Sequence, residues 1–92
     1  MHYYIAEIRI SNRVREKVAA KHGISQAEVF EAFKFPAKLL RAGWDWSEEH
    51  QCYRLLAEGE TSEHVILKGV LYPANQDEGI WWLATCIRAS SK

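Results

Sequence analysis

Apolar and polar residues alternate at the start of the sequence, over residues 3–10. Four apolar residues occupy one side of this pattern and two charged residues the other: Tyr4, Ala6, Ile8 and Ile10 against Glu7 and Arg9. A period of two is typical of a strand with one buried face. The pattern therefore predicts that a strand over Tyr3 to Ile10 comes first.

A helical pattern follows, and it ends at the sequence Lys-His-Gly. Ser11 or Asn12 can cap a helix that runs to about Lys21, with a narrow apolar stripe and a basic stripe at spacings of four. The apolar stripe is Val14 and Val18, and the basic stripe is Arg13, Lys17 and Lys21. Gly23 is predicted to end this helix in the left-handed conformation.

A second helix is predicted directly after this turn. Ser25 and Glu28 have the spacing of a capping box, in which each side chain binds the other residue's backbone N–H. Pro36 prevents the helix from continuing, so we expect it to end near Lys34. Its core-facing residues are predicted to be Val29, Phe30 and Phe33.

The remainder of the chain alternates or is continuously apolar between short polar turns. The strand-like stretches are residues 37–43, 51–57, 64–72 and 80–89. Short polar connections between such stretches favour hairpins. We therefore expect an α+β fold in which strand, helix and helix precede a three- or four-stranded antiparallel meander, with the two helices packed on one face of the sheet.

Length and composition favour one domain over residues 1–92. A chain of 92 residues with 48% apolar residues can bury one modest core without disulfides or metals. Its longest apolar run, residues 79–87, is far too short to span a bilayer, and the N-terminus lacks the pattern of a signal peptide. We expect a cytoplasmic protein that does not enter a membrane, with Cys52 and Cys86 as free thiols.

The charge is balanced overall but unevenly distributed. Residues 1–41 carry eight Lys and Arg against four Asp and Glu, and residues 42–92 carry four against eight. A net charge of zero argues against strong non-specific binding to nucleic acid. The basic first half leaves room for a local anion site or an acidic partner, although both halves could equally be solvated surfaces of one fold.

Several short motifs occur in a particular order. They are KHGIS, then AEVFEAF separated from it by one residue, then YRLLAEGET, VILKGVLYP and ATCIRAS. In order and spacing they resemble the BrnT-type toxins of the RelE/ParE superfamily, which are small ribonucleases of bacterial type II toxin–antitoxin modules. The resemblance covers about residues 14–90. Lys21, His22 and Gly23 match its first motif, Arg54 with Gly59 and Thr61 its second, and Arg88 its third.

The sequence departs from the family pattern in three places. It reads Cys-Ile-Arg at residues 86–88, where the family usually has Ser/Thr-Ala-Arg. The given sequence stops four residues after Arg88, where many members continue into a charged helix. Its predicted first strand is longer than the usual acidic and aromatic start. The resemblance therefore implies a divergent member without the usual C-terminal helix.

The resemblance implies a RelE-like fold and RNA cleavage without a metal or other cofactor. Such cleavage removes a proton from the 2′-hydroxyl, neutralises the charge on phosphorus and protonates the leaving 5′-oxygen. His22 is implied as the general acid, with Lys21, Arg54 and Arg88 as phosphate-binding catalytic residues. Further substrate contacts are expected from Arg41, Lys17 and Arg13. The implied partners are RNA and an antitoxin.

Each of these residues also has a purely structural interpretation. Lys21 and His22 in a last helical turn can simply bind free carbonyls and balance the helix dipole. Arg54 alternates with Cys52 and Leu56, so an ion pair on a strand face would explain it. Arg88 is expected to share an apolar face with Cys86, Ala84 and Trp82, which requires that it be paired or open to a cleft. A non-catalytic protein-interaction domain with the same fold is therefore the alternative function.

Residues 42–50 combine two tryptophans with three acidic residues, and we expect this segment to be irregular. Trp44 and Trp46 either contact an antitoxin or another protein, or close one end of the core. Trp81 and Trp82 should point to opposite faces of a strand. His50, Cys52 and His64 lack the usual zinc-ligand spacings, so no metal site is expected. The oligomeric state is left open.

Overall fold

The chain folds into a five-stranded sheet with two helices on one face. A computed structural model describes residues 4–89. The elements in order are β1 (Glu7–Arg9), α1 (Asn12–His22), α2 (Gln26–Phe33), β2 (Leu39–Ser47), β3 (Cys52–Glu60), β4 (Ile66–Asn75) and β5 (Ile80–Arg88). The predicted α+β class and the order of the elements are confirmed.

The sheet is mixed, with the strand order β1-β5-β4-β3-β2. Strands β2 to β5 pair antiparallel with their neighbours in the chain, so the meander has four strands. Strand β1 instead pairs parallel to β5, with Ile8 opposite Trp81. The alternating pattern of residues 3–10 does not specify this edge position. Strand β1 is also shorter than the predicted stretch, and Tyr3 lies outside the described residues.

Local capping interactions fix the two helices where the sequence predicts them. The Ser11 hydroxyl accepts a hydrogen bond from the backbone N–H of Val14 at 3.2 Å, which begins α1. Gly23 ends it with a φ of 65°. The backbone N–H of Glu28 donates to the Ser25 hydroxyl at 3.2 Å, and the Ser25 N–H donates to the Glu28 carboxylate at 2.9 Å. The predicted capping box is therefore confirmed.

The core lies between the helices and the face of the sheet that they cover. Val18 from α1 and Val29 and Phe33 from α2 are buried against strand residues. Those strand residues include Ile8, Leu55, Leu67, Leu71, Trp81 and Leu83. Gly59 on β3 lies so close to α2 that a Cβ there would overlap the carbonyl oxygen of Ala32.

Residues 42–47 form a strand, so the expectation of an irregular segment is wrong for them. Strand β2 extends through Ser47, and only the connection from Glu48 to Gln51 is a turn. Trp44 packs on Trp81 with ring centroids 5.8 Å apart. Trp46 is exposed and contacts Tyr53 edge-on. The two tryptophans alternate with polar residues and glycine, which is a strand period that the acidic residues obscured.

An extra residue in β5 changes which side chains share a face. Val70 pairs with Thr85 but Leu71 pairs with Leu83, so Ala84 is a bulge. After the bulge, Cys86 and Arg88 lie on the helix-covered face, with Leu83. The expectation that Arg88 shares its face with Trp82 is therefore wrong. Trp81 is fully buried and Trp82 is 43% exposed, as expected for opposite faces.

Cys52 and Cys86 are both free thiols. Within residues 4–89, no helix is long and apolar enough to cross a membrane.

Candidate functional site

The face of the sheet opposite the helices carries a hydrogen-bonded group of polar side chains. We call this group the open-face cluster, and its members are Asp45 and Ser47 of β2, His50 of the following turn, Arg54 of β3 and Tyr72 of β4. Asp45 and Arg54 are directly opposite each other in the β2–β3 pair. Strand pairing thus brings together side chains that lie up to 27 positions apart in the sequence.

Arg54 is held at the centre of this cluster by two partners. Its Nε donates to Asp45 Oδ2 at 2.8 Å, and its Nη1 donates to the hydroxyl of Tyr72 at 3.3 Å. The hydrogen bonds to Tyr72 and Asp45 raise the pKa of Arg54 above its usual value, so the guanidinium stays positively charged. These contacts use two of its five N–H groups, and the side chain is 34% exposed. The guanidinium is therefore oriented by the protein and still accessible to an anion.

The cluster continues from Tyr72 through Ser47 to His50. The hydroxyl of Tyr72 donates to Ser47 Oγ at 3.1 Å, and Ser47 Oγ lies 3.3 Å from Nδ1 of His50. The backbone N–H of His50 also donates to Ser47 Oγ at 3.3 Å. The Ser47 oxygen accepts hydrogen bonds from the Tyr72 hydroxyl and from the His50 backbone N–H. The Ser47 proton is therefore free to be donated to Nδ1 of His50. In that assignment the proton of a neutral His50 lies on Nε2.

Burial distinguishes the anchor of the cluster from its reactive groups. Ser47 is only 3% exposed, whereas His50 is exposed and Tyr72 is half-buried. The rings of His50 and Tyr72 lie 4.6 Å apart between centroids. A buried hydroxyl therefore holds two accessible proton-carrying side chains side by side, next to a cation.

Lys21, His22 and Arg88 lie on the opposite side of the sheet. Arg88 Nη2 donates to the carbonyl oxygen of Gly23 at 2.8 Å, and its Nε donates to that of His22 at 3.3 Å. The same guanidinium lies 3.6 Å from Glu28 Oε2. Arg88 is thus directly beside the Lys21-His22-Gly23 turn. Its bonds there are to backbone carbonyls and to a helix-capping carboxylate.

Arg54 does not join this turn, because it lies on the uncovered face of the sheet while Arg88 lies on the covered one. The four residues expected to be catalytic therefore occupy two places. Arg41, on β2 opposite Glu58, shares the open face with Arg54. Arg13 and Lys17 are exposed on α1, on the side of the molecule that carries the Lys-His-Gly turn.

Sequence reasoning found Arg54 but missed its partners Asp45, Ser47, His50 and Tyr72. The alternation of Asp45 and Ser47 along a strand is the available signal, and the acidic residues of the segment obscure it. The link to Tyr72 depends on the register of three strands, which no local pattern encodes. Within residues 4–89, no three His, Cys, Asp or Glu side chains are grouped as a metal site requires.

The fold of the chain is similar to that of a solved structure. The chain has a BrnT-like fold. It superimposes on the crystal structure of the Brucella abortus ribonuclease toxin BrnT with a TM-score of 0.64, over 94% of this chain and 99% of that one. The two sequences are 24% identical. No protein-family model matches the chain, and no curated protein matches it. The BrnT-like fold thus accounts for nearly all of the elements, and the site rests on this chain's own side chains.

Proposed function

We propose that this chain is a divergent BrnT-like toxin of the RelE/ParE superfamily that cleaves RNA without a metal ion. The observation that carries the proposal is the hydrogen-bonded series Arg54, Tyr72, Ser47 and His50 on the uncovered face of a BrnT-like fold. It offers an oriented cation beside an imidazole, which are the groups that RNA transesterification requires.

In the proposed reaction, Arg54 binds the scissile phosphate and neutralises the charge that develops on its oxygens. Asp45 holds the guanidinium through Oδ2, so its Oδ1 is available to accept the proton of the 2′-hydroxyl. The 2′-oxygen then forms a bond to phosphorus as the bond from phosphorus to the 5′-oxygen breaks. His50, protonated on both ring nitrogens, donates the Nε2 proton to that 5′-oxygen and becomes neutral. The products are a 2′,3′-cyclic phosphate and a 5′-hydroxyl.

The Lys21-His22 turn with Arg88 remains a second proposed location for the chemistry, with His22 as general acid. Lys21 is exposed and His22 is half-buried, so both are accessible. Arg88 bonds the backbone carbonyls that end α1, whereas Arg54 belongs to a side-chain series that ends at an imidazole, and this favours the open-face cluster. Arg41 is proposed as a substrate contact on the open face, and Arg13 and Lys17 as contacts for an RNA that reaches α1.

Cleavage of a single-stranded RNA by the purified chain, in the presence of a chelator, tests this proposal. We expect cleavage to fall about 100-fold or more in Arg54→Gln and in His50→Ala. His64→Ala is the matched control, since His64 is exposed and its side chain bonds Glu60, away from the open-face cluster. Loss of activity in His22→Ala with full activity in His50→Ala would move the site to the helical turn. No cleavage by the wild-type chain, with normal growth of cells that produce it alone, would refute the enzyme.

In the same proposal the chain is one domain, acts in the cytoplasm and is held inactive by an antitoxin. Of the two tryptophans expected at a protein contact, Trp46 is 44% exposed while Trp44 packs against the core. Trp46 and the exposed Tyr53 form an aromatic pair with ring centroids 5.0 Å apart, followed by Glu48 and Glu49. A basic segment of the antitoxin would fit this surface.

The exposed aromatic pair also favours the alternative function, a non-catalytic protein-interaction domain. In that case Trp46→Ala would weaken binding of the partner, while substitutions in the open-face cluster would have no effect in cells. The RNA-cleavage assay separates the two functions, because the interaction domain has no cleavage to lose.

A further inference from the structure

A groove of about 510 Å³ runs along the open face beside the open-face cluster. Its floor takes one residue from each of four neighbouring strands. In the strand register Gly43 is opposite Leu56, Leu56 is opposite Val70, and Val70 is opposite Thr85. Leu56 is 41% exposed at the centre of the floor. The floor is therefore a short apolar row that crosses the sheet and lies open to solvent.

Charged side chains border this floor on both long sides. On one side lie Arg54, two residues along its strand from Leu56, and Tyr72, two residues along its strand from Val70. The row that Arg54 and Tyr72 form is therefore about 7 Å from the row that forms the floor. On the other side, Arg41 lies opposite Glu58, and Lys68 Nζ lies 3.8 Å from Glu58 Oε2. Two cations face one carboxylate there. Both borders of the apolar floor thus carry a positively charged group.

We propose that this groove binds one nucleotide of the RNA substrate, next to the phosphate that Arg54 holds; this inference rests on the proposed function. The base and ribose lie on Leu56 and Val70, and the phosphate on the far side is bound by Arg41 and Lys68. A nucleotide within an RNA strand has a flat, largely apolar base and a phosphate on each side of its ribose. The apolar floor and the cations on its two borders match this arrangement. An apolar peptide would bring no anion to the cations on either border.

Gly43 provides the space in this groove. Among residues 4–89, no atom lies within 4 Å of where a Cβ would be at this position, so there is space above the backbone. Its backbone does not have the positive φ that only glycine adopts readily, so the strand itself accepts a side chain. A β-branched residue here suits a strand and would occupy the groove without displacing neighbouring protein atoms. Gly43→Val is therefore a substitution that should fill the groove while leaving the fold intact.

The test uses full-length Gly43→Val with a single-stranded hexaribonucleotide that is 2′-O-methylated, and therefore bound but not cleaved. Fluorescence anisotropy should show affinity about tenfold weaker than wild type, and cleavage of the unmodified RNA should show KM raised by a similar factor with kcat nearly unchanged. Leu40→Val is the matched control, because Leu40 is 52% exposed on the same strand and does not line the groove. Equal melting temperatures establish that the variants are folded.

The outcomes separate this inference from the proposed function. If the wild-type chain cleaves RNA and Gly43→Val matches it in affinity and KM, the nucleotide subsite is wrong and the ribonuclease stands. If the wild-type chain binds the modified RNA without cleaving its unmodified counterpart, and Gly43→Val weakens binding, the subsite stands and the ribonuclease is wrong. If the wild-type chain neither binds nor cleaves RNA, both are overturned.

Discussion

Arg88 donates a hydrogen bond from Nη2 to the carbonyl oxygen of Gly23 over 2.8 Å, and so ties the end of β5 to the end of α1. The last carbonyls of a helix have no partner within the helix, and here a strand residue supplies one. Glu28 of α2 lies close to the same guanidinium. One side chain therefore links both helices to the sheet.

Arg88→Ala should lower the free energy of unfolding by about 1–2 kcal/mol, because it removes hydrogen bonds from a charged group that is only partly exposed. Urea denaturation measures the change. Arg9→Ala is the matched control, since Arg9 is exposed and its side chain bonds Glu7 of its own strand. An equal effect of the two substitutions would contradict the linking role of Arg88.

Ser47→Ala should affect both stability and RNA cleavage. It removes the common partner of Tyr72 and His50 at a buried position, which costs about 1–3 kcal/mol of unfolding free energy. It also frees the His50 ring, so we expect cleavage per folded molecule to fall about tenfold. Circular dichroism in urea and an RNA-cleavage assay measure the two effects. Ser62→Ala, at an exposed serine bonded to Glu31, should change neither.

Two glycines in strands should respond differently to the same substitution. Gly59→Ala should destabilise the protein by about 1–3 kcal/mol, because the added Cβ would overlap the Ala32 carbonyl oxygen in α2. Gly43→Ala should be nearly neutral, since nothing lies within 4 Å of its Cβ position. Thermal denaturation of the two variants checks this. Similar melting temperatures would show that α2 can move away from β3 at little cost.

The two cysteines should differ in reactivity. Burial, with a smaller contribution from Glu28, raises the pKa of Cys86 from 9.0 to about 12, so its thiol stays protonated near neutral pH. Iodoacetamide at pH 8 should modify the half-buried Cys52 and leave Cys86 unmodified until the protein unfolds. Mass spectrometry of the peptides measures this. Equal rates at both residues would show that the region around Cys86 opens readily.

The raised pKa also has a consequence for stability at alkaline pH. Above pH 9 the unfolded chain loses the Cys86 proton while the folded chain retains it, so deprotonation favours unfolding. The stabilisation is complete below pH 9 and is lost as the pH rises towards 12. Wild type should therefore lose more unfolding free energy over this interval than Cys86→Ala. Parallel pH curves for the two would contradict the prediction.

The features that the sequence predicts well are those set by neighbouring residues. The Ser25-Glu28 capping box and the Gly23 helix end follow from short-range chemistry, and both occur as predicted. The Gly-x-Thr motif has a structural explanation as well. Gly59 permits close packing on α2, and the buried Thr61 hydroxyl accepts hydrogen bonds from the N–H groups of Glu63 and Val65.

The features that the sequence did not predict depend on which strands meet and in what register. A single extra residue, Ala84, reverses the face on which Arg88 lies. The open-face cluster needs β2, β3 and β4 to align so that Asp45, Arg54 and Tyr72 become neighbours. Period-two patterns specify which residues share a face of one strand, but they carry no information about the neighbouring strand.

The parallel pairing of β1 with β5 constrains when the protein can fold during its synthesis. Glu7 is opposite Ile80, so the first strand leaves the ribosome long before its neighbour. At about 5–20 residues per second, β1 waits several seconds for a partner. The helices can form during that interval because their hydrogen bonds are local. The edge of the sheet is completed only when residues 80–82 have emerged, so the pairing of β1 with β5 forms after the two helices can form.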